Sequence, residues 1–325
     1  MPTTSLVGAH QRIPGGLRLR RKNIVVVLCD ALRFDHINEQ LTPNLSKIAS
    51  MGTFFTNFHT QATVTKESIP RILCSSSKFD YRHSIQYKLS SLGYYTSLLT
   101  TNLFMLEAFS AGWDEAQYLP QLNSRRLASA RHQFERLALR NLPTWMIRLL
   151  RLVKRAVTGG PHLSAREMFM EALQRIPSFP KPFFLWIHLM DTHLPYTPSD
   201  SPVSVKRIED LCTKVLKIFW TGEGALTPGE LALLRQLYRA CVSDVDKEVW
   251  KFYVALPQNT LFVFMSDHGE ELGENGHYSH SEARSVPQLT HIPLIIAPGP
   301  RIKVHKCTTT DAFKRILGSF VGVEI

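Results

Sequence analysis

The sequence predicts an α/β domain with a mostly parallel central sheet and helices on both faces. Five short apolar runs, rich in β-branched or aromatic residues, each end in polar or turn residues, as buried strands do. They are residues 23–30, 94–102, 182–191, 260–269 and 291–299. Helical patterns lie between these runs, and this alternation is typical of a parallel sheet that is covered on both sides.

Three helical patterns and one irregular segment separate the predicted strands. Residues 41–52 carry apolar side chains at spacings of three and four and end at Gly52, as an amphipathic helix does. Residues 231–256 repeat this pattern over a greater length, and residues 125–140 carry a shorter one. The segment at about 119–180 is the least regular, which predicts a cap or an insertion between strands.

The composition indicates one globular domain with anionic partners. Of the 325 residues, 44% are hydrophobic and 20% are charged, which excludes a disordered chain. Residues 1–21 form a basic tail, so the predicted domain spans residues 22–325. The formal net charge of +11 favours phosphate or sulfate esters, nucleic acid or an anionic membrane surface as partners.

The cysteines and the apolar runs bear on the compartment. The five cysteines are odd in number and form no CxxC pair, which argues against a disulfide framework and a thiolate zinc cage. The apolar run after the basic tail is too short for a signal peptide, and no stretch reaches the ~18 apolar residues of a membrane span. We therefore expect a cytoplasmic protein, with peripheral membrane binding as the alternative.

Polar side chains follow three of the predicted strands. They are Asp30 after the first, Asp191 and His193 after the third, and Asp267 and His268 after the fourth. The carboxyl ends of parallel strands meet at one edge of a sheet, where ligands bind. We therefore expect a binding or catalytic site at this edge.

The segment SDHGEELGENGHYSH, residues 266–280, is typical of a metal site. Asp267, His268 and His280 are ligand types that suit zinc or manganese, and glycines allow the close turns of such a site. A polar surface loop is the alternative, but an Asp-His pair directly after an apolar strand favours metal. Asp30 alone would be a helix N-cap, whereas beside this pair we expect it to be a ligand.

These segments together resemble the sulfatase family of the alkaline phosphatase superfamily. The resemblance runs from about Lys22 to the C-terminus and rests on the strand before Asp30 and Arg33, on HLMDTHLPY and on SDHGEELGENGHYSH. It implies an alkaline phosphatase-like α/β/α sandwich with a metal site at the carboxyl edge of the sheet. One or two zinc or manganese ions are implied. Calcium is less expected, because Ala31 stands where sulfatases commonly have a second acidic residue.

The stretch TVTKESIPRILCSS, residues 63–76, contains the expected nucleophile. Its pattern Thr-x-x-Ser-x-Pro begins at Thr65 and is similar to that of lipid A phosphoethanolamine transferases, where a threonine at a helix start is the nucleophile. Formylglycine sulfatases have a cysteine at this position, whereas Cys74 lies later and is expected in the core. Ser68 is expected inside the first helical turn. Without the resemblance, Thr65 would be a simple helix N-cap.

The resemblance also assigns roles to the histidines and to the nucleophile. The metal is expected to be held by Asp30, Asp267 and His268 together with Thr65. His193 and His280 are expected to be catalytic: they would hold a second metal, bind substrate oxygens or protonate the leaving group. His188, inside an aromatic strand, is expected to be a packed core residue.

We therefore expect a metal-dependent hydrolase or transferase of phosphate-type esters that works through a covalent Thr65 intermediate. Sulfate-ester hydrolysis at the same site is the first alternative, and a pseudo-enzyme that binds an anionic lipid or glycan is the second. The substrate would be an anionic ester of a lipid head group or a glycan.

Residues 143–157 form a basic amphipathic pattern. Such a helix can lie on an anionic membrane or pack as a cap with solvated basic residues, and both interpretations stay open. Nucleic-acid binding is not expected, since no aromatic stacking platform accompanies the basic residues.

Overall fold

A mostly parallel sheet forms the centre of the fold. The computed structural model describes residues 21–119 and 162–325 of the chain. The strands of this part are β1 Asn23–Cys29, β2 Thr53–Phe55, β3 Phe58–His59, β4 Tyr95–Thr100, β5 Glu115–Tyr118, β6 Phe183–Leu189, β7 Thr260–Met265, β8 Glu271–Leu272, β9 Tyr278–Ser279, β10 Leu294–Ala297, β11 Ile302–Val304 and β12 Thr308–Thr309. The described helices are α1 Pro43–Ser50, α2 Thr65–Cys74, α3 Ile85–Ser91, α4 Leu103–Phe109, α5 Ala165–Arg175, α6 Val205–Thr221, α7 Pro228–Ala255, α8 Pro287–Thr290 and α9 Phe313–Val321.

The order of strands across the main sheet places β1 between β7 and β6. Within the described residues the order is β11-β2-β10-β7-β1-β6-β4-β5, and two short pairs, β3 with β12 and β8 with β9, lie apart from it. Strands β7, β1, β6, β4 and β5 are parallel, while β10 runs antiparallel to both β7 and β2. The five predicted strands are confirmed as β1, β4, β6, β7 and β10, and the sheet is mostly parallel as expected.

Both faces of the sheet are buried under helices, as the apolar strands require. Along β1, Val25 and Val27 pack into one core with side chains from α1, α5, α6 and α7. Ile24 and Val26 pack into the opposite core with α2, α3, α4 and α9. Successive side chains of a strand point to opposite faces, so a strand without polar positions needs cover on both sides. The result is the predicted α/β/α sandwich.

The predicted helices in the described part are also present. The pattern at 41–52 forms α1, and the pattern at 231–256 forms α7, which begins in a capping box between Thr227 and Glu230. None of the described helices has the length and apolarity that crossing a bilayer requires.

Part of the segment predicted as a cap belongs to a helical layer. Helix α5 packs its buried Met168 and Ala172 into the core, and the ring of Phe169 stacks on Phe252 of α7 at 4.4 Å. Residues 162–180 therefore cover the sheet. The helical patterns predicted at 125–140 and 143–157 lie outside the described residues, and the domain boundaries stay a prediction.

Candidate active site and metal centre

Thr65 lies at the start of α2 with its hydroxyl turned toward two predicted metal ligands. Its Oγ1 donates to Asp30 Oδ2 at 3.1 Å and lies 3.3 Å from His268 Nε2. The N-cap of the helix is Val64, so Thr65 is its first residue and not its cap. In the described contacts the Thr65 hydroxyl bonds Asp30 and His268. The Thr65 and Lys66 amides open the same helix, where N–H groups lack helical partners and favour an anion, whereas the Glu67 amide bonds the Val64 carbonyl at 3.0 Å.

Asp30, Asp267 and His268 form one buried cluster at the carboxyl edge of the sheet. One ligand atom of each residue lies within 4.8 Å of the others, and all three side chains are fully buried. His268 Nε2 is 3.5 Å from Asp30 Oδ1 and 3.4 Å from Asp267 Oδ2. The carboxyl ends of β1 and β7 bring these residues together, because the two strands are parallel neighbours.

The donor set fits a divalent transition metal. Two carboxylates and one imidazole suit zinc or manganese better than calcium, which prefers oxygen ligands alone. Asp30 Oδ1 is buried without a hydrogen-bond partner in the described residues. Two carboxylates out of contact with water are costly unless a cation balances them, and a metal at this point would do so.

The charge state of Asp30 follows from its neighbours. Burial by itself raises the pKa of Asp30, but the hydrogen bond from His188 and the nearby imidazoles of His193 and His268 outweigh it. Together they hold the pKa of this carboxyl well below its usual range. Asp30 is therefore an ionised carboxylate at neutral pH.

The backbone and one serine fix Asp267. Its Oδ1 accepts from the amides of His268 at 3.0 Å and Ala31 at 3.4 Å. Ala31 adopts a left-handed φ of 60°, which turns its N–H toward Asp267. The buried hydroxyl of Ser68 lies 3.3 Å from Oδ2 and 3.2 Å from the Val64 carbonyl, so its one proton is shared between these two acceptors. Ser68 lies in the first turn of α2 as expected, but its contact with Asp267 was not predicted.

His188 is fully buried within β6, as predicted for a core residue. Its Nε2 also lies 3.1 Å from Asp30 Oδ2, a contact that the sequence interpretation missed. The pairing of Leu28 with His188 in the parallel register puts this imidazole beside the end of β1. A polar residue near the end of an otherwise apolar strand was the available signal.

His193 and His280 lie next to His268. The ring centroids of His280 and His268 are 4.2 Å apart, and those of His280 and His193 are 5.1 Å apart. Asp191, although it also follows β6, turns away and accepts from the Ala165 amide at the start of α5 at 2.9 Å. The structure thus brings Thr65, His193 and His280 to the predicted metal ligands and gives Asp191 a helix-capping contact.

Arg33 forms ion pairs that join two loops beside the site, and Cys74 lies in the core. The guanidinium of Arg33 binds Asp35 and Glu274, each at 2.6 Å, and the carbonyl of Glu270 at 3.1 Å. It therefore joins the loop after β1 to the hairpin β8–β9 that leads into His280. Cys74 ends α2 and is buried in the core, as predicted.

Comparisons with known proteins agree with this architecture. A sequence model of the sulfatase family matches residues 22–314. A sulfatase of Formosa agariphila is 32% identical over 149 residues, which are 38% of this chain and 29% of that protein. An arylsulfatase of Clostridium perfringens is 24% identical over 153 residues, 40% of this chain and 31% of that protein. The matches thus span less than a third of each relative.

Solved structures share the fold at low sequence identity. The soluble domain of lipooligosaccharide phosphoethanolamine transferase A from Neisseria meningitidis has a TM-score of 0.66 at 17% identity, covering 95% of this chain and 89% of its own. Phosphonate monoester hydrolase of Agrobacterium radiobacter has a TM-score of 0.65 at 19% identity, covering 93% of this chain and 74% of its own. The C-terminal periplasmic domain of EcEptC from Escherichia coli, solved in complex with Zn, has a TM-score of 0.61 at 16% identity. It covers 93% of this chain and 83% of its own. These similarities show the alkaline phosphatase superfamily fold.

Proposed function

The chain belongs to the sulfatase family, and from this premise we propose that it is a metal-dependent hydrolase or transferase of phosphate-type esters. The reaction would pass through a covalent bond to Thr65. One observation carries the proposal: the Thr65 hydroxyl lies 3.1 Å from Asp30 and 3.3 Å from His268, inside the candidate metal centre.

The surroundings of Thr65 supply what a threonine nucleophile lacks. A free hydroxyl is a weak nucleophile at neutral pH and needs a proton acceptor or a lowered pKa. Asp30 accepts the hydroxyl hydrogen bond. A divalent ion held by Asp30, Asp267 and His268 would lower the pKa of this hydroxyl and neutralise charge on the ester oxygens. Zinc or manganese is proposed on the donor types, with one or two ions per chain.

The reaction is then a displacement in two steps. The Thr65 hydroxyl gives its proton to a base of the site and Oγ1 bonds to phosphorus. The bond to the leaving oxygen breaks, that oxygen takes up a proton, and Thr65 is left covalently bound to phosphorus. Water or an acceptor hydroxyl attacks the same phosphorus, and the bond to Thr65 breaks. Phosphoryl transfer needs positioning and charge neutralisation above all. The first amides of α2 would contact the non-bridging oxygens, while His193 and His280 would hold a second ion or move a proton.

Sulfate-ester hydrolysis at the same site is the second candidate. The family and the two named sulfatase relatives favour it. A phosphate ester is preferred because this chain has Thr65 at the position that resembles the cysteine of formylglycine sulfatases. The proposed substrate is an anionic ester of a lipid head group or glycan. The cytoplasmic location of the protein stays a prediction.

The test combines metal analysis with two substrate classes. We expect bound zinc or manganese, hydrolysis of an aryl phosphodiester, and a loss of at least about 10³-fold in kcat for Thr65→Ala. Cys74→Ala is the control for a cysteine nucleophile and should keep its activity, because Cys74 lies in the core. Absence of metal together with unchanged activity of Thr65→Ala would contradict the proposal.

The other outcomes separate the alternatives. Selective hydrolysis of an aryl sulfate would favour the second candidate. A chain that turns over neither ester but binds anionic vesicles would be the pseudo-enzyme.

A further inference from the structure

Three histidines of the site, His193, His268 and His280, are each held through Nδ1. His268 Nδ1 lies 2.9 Å from the carbonyl of Gly269, and His193 Nδ1 lies 2.7 Å from the carbonyl of Leu194. A carbonyl only accepts, so both imidazoles carry their proton on Nδ1 and present the Nε2 lone pair. Their protonated nitrogens face backbone dipoles.

His280 differs from the other two because its Nδ1 partner is a carboxylate. Its Nδ1 is 3.0 Å from Oε1 of Glu270, which is fully buried, and the His280 side chain is 12% exposed. The second oxygen of this carboxylate, Oε2, is buried and has no hydrogen-bond partner in the described residues. The buried Tyr196 also lies close enough to interact with this carboxylate, so Glu270 faces His280 on one side and the tyrosine hydroxyl on the other.

The backbone holds Glu270 rigidly. Its carbonyl accepts from Arg33 Nη1 at 3.1 Å, and the amide of the preceding Gly269 donates to the Leu289 carbonyl at 2.8 Å. A Cβ at position 269 would lie 1.9 Å from the carbonyl oxygen of Gln288, so only glycine allows this close approach. The chain between His268 and Glu270 is thus fixed against α8.

We propose that Glu270 is a positioning residue that holds His280 with its proton on Nδ1 and its Nε2 lone pair available to the reaction. A carboxylate behind an imidazole fixes the tautomer and the ring orientation, and it stabilises the imidazolium that forms when the ring accepts a proton. His280 is then the proton-transfer group of the site, whereas His193 and His268, backed by carbonyls, act as lone-pair donors.

The catalytic consequence rests on the proposed function. In its second step, the oxygen of water or of the acceptor alcohol bonds to phosphorus and its proton passes to His280 Nε2. The bond between phosphorus and Thr65 breaks, and its electron pair stays on Thr65 Oγ1. In the next turnover the proton passes from His280 to the departing alcohol, which restores the neutral ring.

The first test measures the tautomer and needs no activity. Protein labelled with 15N-histidine and freed of metal is observed by long-range 1H–15N correlation at a pH of about 8, where imidazoles are neutral. The His280 signals are assigned with His280→Gln. We expect the Nδ1-protonated form in the wild type and a shift toward Nε2-protonation, the form that free imidazole favours, in Glu270→Leu.

Matched variants separate positioning from general damage. Glu270→Gln keeps an acceptor and should keep the tautomer, while Glu271→Gln removes the adjacent carboxylate, which binds Arg284, and should leave His280 unchanged. In phosphodiester assays, Glu270→Leu should lower kcat about 10- to 100-fold with KM within about threefold, and Glu270→Gln should lie between it and the wild type.

Two results would overturn this inference. One is an Nε2-protonated His280 in the wild type, and the other is a Glu270→Leu variant with the wild-type tautomer and kcat. Full activity in Thr65→Ala would instead refute the proposed function, while the tautomer measurement would still decide the role of Glu270.

Discussion

Removing the hydroxyl of Ser68 should weaken the metal centre without dismantling it. Ser68 Oγ lies 3.3 Å from Asp267 Oδ2 and shares its proton with the Val64 carbonyl at 3.2 Å, whereas the other oxygen of Asp267 keeps two backbone amides, at 3.0 and 3.4 Å. The Ser68→Ala variant therefore deletes one of three hydrogen bonds that orient this ligand.

The size of the effect follows from that count. One hydrogen bond to a charged group contributes about 1.5 kcal/mol, and loss of a partner behind a metal ligand lowers affinity by about 10- to 100-fold. Because two amides still anchor Asp267, we expect the lower end, a roughly tenfold rise in the Kd for zinc, or about 1.4 kcal/mol.

Competition with a chromogenic zinc chelator measures this Kd directly. Ser319→Ala is the matched control, because the Ser319 hydroxyl bonds the Ile316 carbonyl at 2.7 Å within α9, far from the site. An unchanged zinc affinity in folded Ser68→Ala would refute the view that Ser68 orients Asp267.

Three further predictions concern stability. Asp246, buried within α7, accepts from the first amides of α1 at 2.7 and 3.1 Å, so Asp246→Ala should lower the free energy of unfolding by about 2–4 kcal/mol in urea titrations; a loss below about 0.5 kcal/mol would contradict this. Removal of metal should lower the thermal midpoint, because the carboxylates of Asp30 and Asp267 then stay buried without a cation; equal midpoints with and without a chelator would argue against a metal in the folded protein. Hydrogen bonds from Lys214 and from the capping box lower the pKa of Glu230 to about 2, so its stabilising effect is complete above the unfolded value near 4.5 and is lost as pH falls from there toward 2. The difference in midpoint between wild type and Glu230→Gln should shrink over this range, and a difference independent of pH would refute the assignment.

The sequence predicted those parts of the fold that depend on local patterns. The largely apolar runs of β1, β6 and β7 indicate buried parallel strands, and the shared direction of such strands brings Asp30 and Asp267 to one edge. Strand β11 at the edge of the sheet and its neighbour β2 have three residues each, too few for any periodicity to identify them.

The contacts that tune the site depended on the tertiary structure. Ser68 meets Asp267 across 199 positions in the chain, and the phase of α2 against β7 decides whether its hydroxyl points there. His188 reaches Asp30 only through the register of β6 against β1. Glu270 is separated from His280 by a hairpin whose turn sets their distance, and no residue spacing alone reveals it.

The irregular segment also shows the limit of pattern reasoning. Helix α5 was included in a predicted cap, although its buried Met168 and Phe169 face the core beside α7. The helix is short, and the unpatterned residues before it obscured its amphipathic face. Ser164 and Glu167 form a capping box at its start, a sequence signal that the prediction did not use, and Phe169 also stacks on Phe252.

The central claim is that Thr65 becomes covalently bound to the substrate phosphorus. The direct measurement is rapid quenching of the metal-loaded protein during turnover of an aryl phosphodiester, followed by mass spectrometry of the peptide that contains residues 65 and 68. We predict a phosphoryl-type adduct on Thr65 that is absent from Thr65→Ala and that forms as fast as the first turnover. Turnover without an adduct, or an adduct on Ser68 in place of Thr65, would contradict the account.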